Sequence, residues 1–183
     1  MKCLVVGHGE SYNDYDFIRQ FDGLILASDV VVSDLVDNDI IPDYMLFFET
    51  QQTIRVNLHQ WIPDSFSDEK VRDKMTLIYR LPITSALTYR IEMLKLKSDI
   101  FELNDYGDFH ADNINNVGLY SVVYATDILK MDRIHLIGMD YRGLDRLGVD
   151  NTKKWIKSAK YYFNHRKLKP KIIDHSGGDF PSL

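Results

Sequence analysis

The chain contains a single cysteine, Cys3, so it forms no internal disulfide, and a reducing compartment is expected. It has no run of about 18 apolar residues, so nothing in it is expected to span a bilayer. Met1-Lys2-Cys3 runs straight into strand-like sequence, so no secretory leader is expected. A cytoplasmic protein is the expectation. There is no internal repeat, no low-complexity stretch and no linker, so residues 1–183 read as one domain. The six histidines and one cysteine show no zinc spacing. No aromatic-basic RNA motif is present and the net charge is −5, so nucleic acid is not an expected partner.

What is present is ordinary in amount and uneven in placement. Apolar residues make up 45% and charged residues 27%, enough for a sizeable core. Residues 1–129 carry 10 basic and 21 acidic side chains, whereas residues 130–183 carry 12 and 6. Arg142, Arg146, Lys153, Lys154, Lys157 and Lys160 gather in that positive third. Such a run is either a solvated helix face or a rim that attracts a phosphorylated small molecule.

Short apolar runs alternate with amphipathic ones. Strands are predicted at Lys2–Val6, Gly23–Ala27, Tyr44–Phe48, Lys74–Tyr79, Arg133–Gly138 and Lys171–Ile173. Helices are predicted at Asp14–Gln20, Val30–Asp37, Ile83–Leu96, Val117–Leu129 and Asn151–His165. Continuously apolar strands between helices indicate an open, mainly parallel sheet covered on both faces, a Rossmann-like α/β fold. The polar stretch Asp99–Asn116 reads as an ordered loop over the sheet.

The first strand ends in "VVGHGESY", residues 5–12. A glycine loop between strand and helix is where open α/β sheets take nucleotides, because the backbone can approach the ligand and the helix offers free N–H groups. The dinucleotide fingerprint needs a third glycine where Tyr12 stands, although Asp29 could imitate its ribose-binding acid. The Gly-Lys-Ser/Thr ending of a P-loop is missing too. A ligand-free turn accounts for Gly7 and Gly9, a helix cap for Ser11 and plain solvation for His8; ligand contact is the alternative at each.

Three segments, "VVGHGESY", "ASDVVVSDLVDNDIIPDYMLFFET" and "NNVGLYSVVYATDILKMDRIHLIGMDY", in this order and spacing resemble the archaeal 6-hydroxymethyl-dihydropterin diphosphokinase-like family. That family includes motility-associated factors implicated in flagellin glycosylation, and its layout is similar to that of bacterial sialyltransferases using CMP-sialic acid. The resemblance covers most of residues 3–141, and the tail "DHSGGDFPSL" is similar to the family's glycine-rich ending. It implies that Gly7, His8, Gly9 and Ser11 embrace a nucleotide together with the helix start Asn116, Val117 and Gly118. Gly138 and Asp140 would close the same crevice from the strand ending Ile-Gly-x-Asp. Ser28 and Asp29 would read the base or ribose. Glu49 matches the family's acidic residue ending the third strand. His8 and Glu10 stand where the family commonly has asparagine and proline.

Two reactions fit these residues. Diphosphoryl transfer from ATP leads narrowly, on the resemblance. It would use Glu49 and Asp140 as ligands of Mg²⁺, which prefers carboxylate and water oxygens. A turn cap for Asp140 and an N-cap for Asn115-Asn116 are the simpler readings. Glycosyl transfer from a CMP-sugar would need a base for the acceptor hydroxyl, His175 or His8, and a donor to the leaving phosphate such as Tyr141. His110 and His135 are weaker candidates, and His135 reads as a core histidine. A non-catalytic nucleotide-binding protein is the third class. Tyr161, Tyr162 and Phe163 would then offer an oligomer contact. The expected partners are a nucleotide and a small-molecule acceptor.

Overall fold

A computed structural model describes residues 1–29, 31–47, 61–81, 83–102, 116–139, 152–165 and 169–177. Seven parallel strands form one sheet in the order β5-β4-β3-β2-β1-β6-β7. They are β1 Lys2–Val6, β2 Leu24–Ser28, β3 Tyr44–Phe47, β4 Thr76–Tyr79, β5 Lys97–Ile100, β6 Arg133–Ile137 and β7 Lys171–Asp174. The helices are α1 Tyr15–Gln20, α2 Val31–Asp37, α3 Glu69–Lys74, α4 Ser85–Leu94, α5 Val117–Asp127 and α6 Thr152–His165. The expected Rossmann-like α/β architecture is observed.

Alternation along the strands divides the core in two. Cys3, Val5, Leu26, Leu46, Ile134 and Leu136 face α5 and α6. Leu4, Val6, Ile25, Ala27, Met45, Phe47 and Leu77 face α1 to α4. Every residue of α5 from Gly118 to Thr126 is buried, so this helix lies between the sheet and α6. Its continuous apolar run reflects burial all round. Burial pushes the Cys3 thiol up to about 12, which makes it a small inert hydrophobe.

Several expected elements move. Lys74, expected to open β4, closes α3. That helix escaped prediction because it has six residues and buries only Val71. Residues 97–100, of which 97 and 98 belong to no predicted element and 99 and 100 to the predicted polar loop, form β5 instead. All four of its side chains are exposed, so no hydrophobic period marks it; the backbone ladder to β4 holds it in place. Tyr162 and Phe163 are fully buried under α6, which removes them as oligomer contacts; Tyr161 alone of the three is on the surface. Lys153, Lys154, Lys157 and Lys160 are exposed on α6, as expected for either reading of its basic face.

One departure from apolar order lies on α4. Its buried stripe runs Leu87, Arg90, Ile91 and Leu94. Arg90 is 2% exposed. Its Nε donates to the Ile62 carbonyl at 2.8 Å, and Nη1 lies 2.7 Å from Asp64 Oδ1. That Nη1 contact is an ion pair by distance without the alignment of a hydrogen bond, and Nη2 has no partner. Arg90 ties the Ile62–Asp64 segment to α4 at the cost of incomplete satisfaction.

Candidate functional site

Strand order reverses direction between β1 and β6: from β1 the chain builds outward to β5 on one side, then returns to add β6 and β7 on the other. Ligands of such sheets sit at the carboxyl ends of the strands beside this switch point. Gly7, His8 and Gly9 follow β1 there, and Gly138 and Met139 follow β6. The start of α5 reaches the same end, because a Cβ on Gly118 would stand 2.4 Å from Met139 Sδ.

The two turns are joined by their backbones. Gly7 N–H donates to Ile137 O at 2.8 Å and Gly9 N–H to Gly138 O at 2.7 Å. Gly138 N–H donates to Ser11 Oγ at 2.8 Å. Ser11 is therefore a clasp between the turns, and the cap of α1 is Asp14, which accepts from Phe17 N–H. A Cβ on Gly7 would fall 2.4 Å from Gly138 O, and one on Gly138 would fall 2.2 Å from Gly7 O. Gly138 also holds φ +67°, where a side chain is strained. Close approach between turns is thus the immediate reason for these glycines.

Met139 fills the junction. Its sulfur would meet a Cβ at Gly7 at 2.7 Å as well as the one at Gly118, and its N–H donates to Ser176 Oγ at 3.0 Å. The residue that gathers β1, α5, β6 and the segment after β7 was missed by sequence reasoning. The signal was indirect: Gly7 and Gly118 are the space around its sulfur.

The other expected residues are distributed around this floor. Asn116 is the N-cap of α5, its Oδ1 accepting from Leu119 N–H at 2.8 Å. That leaves its amide NH₂ for another acceptor. Val117 and Gly118 open the helix, where backbone N–H groups have no intrahelical partner. Ser28 is buried, with its hydroxyl 3.4 Å from Ser121 Oγ, so it links β2 to α5. Asp29 follows with φ +28° and donates its N–H to Leu46 O at 2.9 Å. His8 is exposed and its ring stacks on Tyr12 at 5.6 Å between centroids. Tyr12 OH donates to Asp34 Oδ2 at 2.8 Å, and burial followed by Asp34 raises its pKa well above the usual phenol value.

His175 sits away from these groups. Its N–H donates to Leu136 O at 2.8 Å. Its ring rests on Phe17, and its Nε2 lies 2.9 Å from His135 Nδ1. His135 is half-buried and paired, not the core histidine expected from its strand. Glu49, Asp140, His110, Asn115, Tyr141, Arg142 and Arg146 lie outside the described residues. Among the described residues no group of three or more His, Cys, Asp or Glu side chains is gathered as a metal would require. No helix among them is long and apolar enough to cross a membrane.

No family model and no curated protein matches the chain. Solved structures similar to it include the following two. One is the MAf glycosyltransferase from Magnetospirillum magneticum AMB-1, at a TM-score of 0.62 and 14% identity. The likeness covers 100% of this chain and 34% of that one, so the chain spans about a third of that protein's length. The second is a protein from Lactobacillus plantarum, with a TM-score of 0.41, 13% identity, and coverage of 93% of this chain and 59% of the other. At such identities the likeness is one of fold: the chain is laid out like part of that glycosyltransferase.

Proposed function

We propose that the chain binds a nucleotide at the β1/β6 switch point and acts in transfer of a group from it, with glycosyl transfer from a nucleotide-sugar as the leading reaction. The observation that carries this reading is the convergence of the α5 N-terminus with the two glycine turns at one end of the sheet. A helix start offers N–H donors and a positive dipole end, the combination that favours phosphate. Val117 and Gly118 N–H and the Asn116 amide would hold the phosphates. His8, exposed on the loop above, is the described histidine best placed to take a proton from an acceptor hydroxyl. Asp29, at the end of β2, would read ribose.

The fold of the glycosyltransferase neighbour moves this reaction ahead of diphosphoryl transfer. The ATP-dependent alternative depends on Glu49 and Asp140 as magnesium ligands, and both lie outside the described residues. His175 is no longer the favoured base, since its Nε2 is engaged by His135.

Thermal shift with CMP, CTP, ATP and GTP, each with and without Mg²⁺, tests the reading. A ligand at 100 times its Kd raises stability by about 2.7 kcal/mol. A shift by CMP that survives EDTA is the expected result. A shift by ATP alone, and only with Mg²⁺, returns diphosphoryl transfer to the lead. No shift by any of the four ends the nucleotide reading.

A further inference from the structure

Beyond the switch point, the two faces of β6 and β7 are treated unequally. Ile134 and Leu136 are buried on the α5/α6 side. Alternation sends Arg133 and His135 to the opposite face. The register then extends that face sideways: Lys2 pairs with Arg133, and Arg133 with Lys171. The next row is Leu4, His135 and Ile173, and His175 continues the column above Ile173. Three cations therefore share one cross-strand row, with two histidines further along the same face. At about 4.8 Å between strands, the row spans roughly 10 Å. Like charges placed directly opposite destabilise a sheet, so such a row calls for a reason.

This face is thinly covered at Lys2 and along β6 and β7, whereas Leu4 and Val6 further along β1 are buried in the core. Among the described residues it meets α1, whose Phe17 lies 4.7 Å from the His175 ring and whose neighbour Phe21 lies 5.0 Å from the His135 ring. The residues of β7 are all half-buried or exposed. Neutralisation is also thin. Lys2 Nζ is 3.7 Å from Asp22 Oδ2 and stands over the Phe21 ring. Asp132 is engaged by the Met1 amino group and reaches Arg133 only as a more distant charge. Arg133 and Lys171 have no carboxylate partner among the described residues. A cleft of about 300 Å³ lined by Met1, Lys2, Asp132 and Arg133 opens at this end of the sheet.

The histidines complete the picture. With Nδ1 and Nε2 2.9 Å apart and ring planes at 7°, one ring must donate and the other accept. Both cannot be protonated while that contact lasts. The charges facing them are Lys2 from β1, Arg133 from β6 and Lys171 from β7, with Asp22 beside Lys2; α1 contributes the two phenylalanine rings. A divalent cation would meet repulsion here. An oxyanion would meet a planar guanidinium fork, two ammonium groups and two imidazoles able to donate.

We propose that the open part of this face, along β6 and β7 with Lys2 of β1 at its edge, is a binding site for a small di- or polyphosphate anion, held by Lys2, Arg133 and Lys171 and bounded by His135 and His175. Several charges spread over roughly 10 Å favour a ligand bearing more than one phosphoryl group. The cationic row lies at the amino ends of its strands, opposite the crevice proposed for the nucleotide. Binding would let each histidine hold its own proton and donate to the anion, so occupancy and protonation of the pair rise together.

The test follows the histidine ring protons by NMR between pH 5 and 8, with pyrophosphate, with inorganic phosphate, and with sodium chloride at matched ionic strength. The expected result is that pyrophosphate raises the midpoints of His135 and His175 by about one pH unit and chloride does not. Arg133→Ala combined with Lys171→Ala should abolish the shift. These are exposed positions, where truncation barely changes stability. Lys153→Ala with Lys157→Ala, on α6, should leave the shift intact. An equal response to chloride, a response that survives loss of Arg133 and Lys171, or no response at all overturns the proposal.

Discussion

Just past the carboxyl end of β6, at Gly138, backbone meets backbone; three and five residues earlier, on the outer face of the strand, His135 stands half-buried and Arg133 exposed. Gly138 has no room for one carbon atom beyond its own. On the strand before it, Arg133 is exposed, and half-buried His135 has the positive charges of Lys2, Arg133 and Lys171 nearby. The first region is specified by shape, the second by electrostatics. Substitutions should separate them: changes at the turn should cost stability whatever the ligand, and changes on the face should alter protonation and binding while the fold stands.

The largest effect is expected for Gly138→Ala. The left-handed φ costs about 1–2 kcal/mol with a Cβ present. Displacing the Gly7 carbonyl, which that Cβ would meet at 2.2 Å, adds about 1–3 kcal/mol. A loss near 3 kcal/mol corresponds to a Tm roughly 6–12 °C lower for a chain of this size. Thermal unfolding without ligand measures it. A variant within about 1 kcal/mol of wild type would mean that the turns slide apart freely, and the contrast with the open face would collapse.

The parts of this arrangement that sequence revealed are those written in local periods. The apolar runs of β1, β2 and β3 read as buried parallel strands because both their faces are covered over most of their length, and β6 was legible from Ile134, Leu136 and Ile137 although its Arg133 and His135 side is open. The glycine loop and the α5 start were legible as candidate ligand elements for the same reason: strand, loop and helix follow one another along the chain. What was not legible depends on partners distant in sequence. Nothing local says that Gly7 meets Gly138, that Ser11 serves a turn 127 residues away, or that His135 meets His175 across 40 residues. A basic row across three strands is likewise invisible until the register is known, since Lys2, Arg133 and Lys171 look like unrelated strand openings. The polar edge strand β5 lacks the apolar period that exposes its neighbours.

Gly118→Ala sharpens the comparison. Its added methyl also meets an atom at 2.4 Å, but that atom is the thioether of Met139 and not a backbone oxygen. A flexible side chain can withdraw where a carbonyl cannot, and alanine gains helix propensity over glycine. The net loss should be about 1 kcal/mol, less than for Gly138→Ala, as read from urea midpoints at constant m. Equal losses would show that Met139 is as rigidly held as the turns. Ser11→Ala should fall in the same range, about 1 kcal/mol, because Gly138 N–H loses its acceptor in a partly buried site.

The smallest effect is expected on the open face, and its signature is pH. Burial, then the nearby charges of His175, Lys2, Arg133 and Lys171, lower the pKa of His135 below its usual value. A histidine with a lowered folded pKa binds fewer protons in the native state than in the unfolded one at a given pH. Stability from this group is therefore present above the unfolded value of about 6.5, and it declines as pH falls through 6.5 toward the folded pKa. His135→Gln removes the titration while keeping a polar side chain. Urea midpoints at pH 7.5 and 5.5 should converge in the variant relative to wild type. In wild type the drop should also shrink when pyrophosphate is present, since an anion that favours the protonated pair offsets its cost. An unchanged pH dependence in His135→Gln would place the acid sensitivity elsewhere and leave the face electrostatically silent.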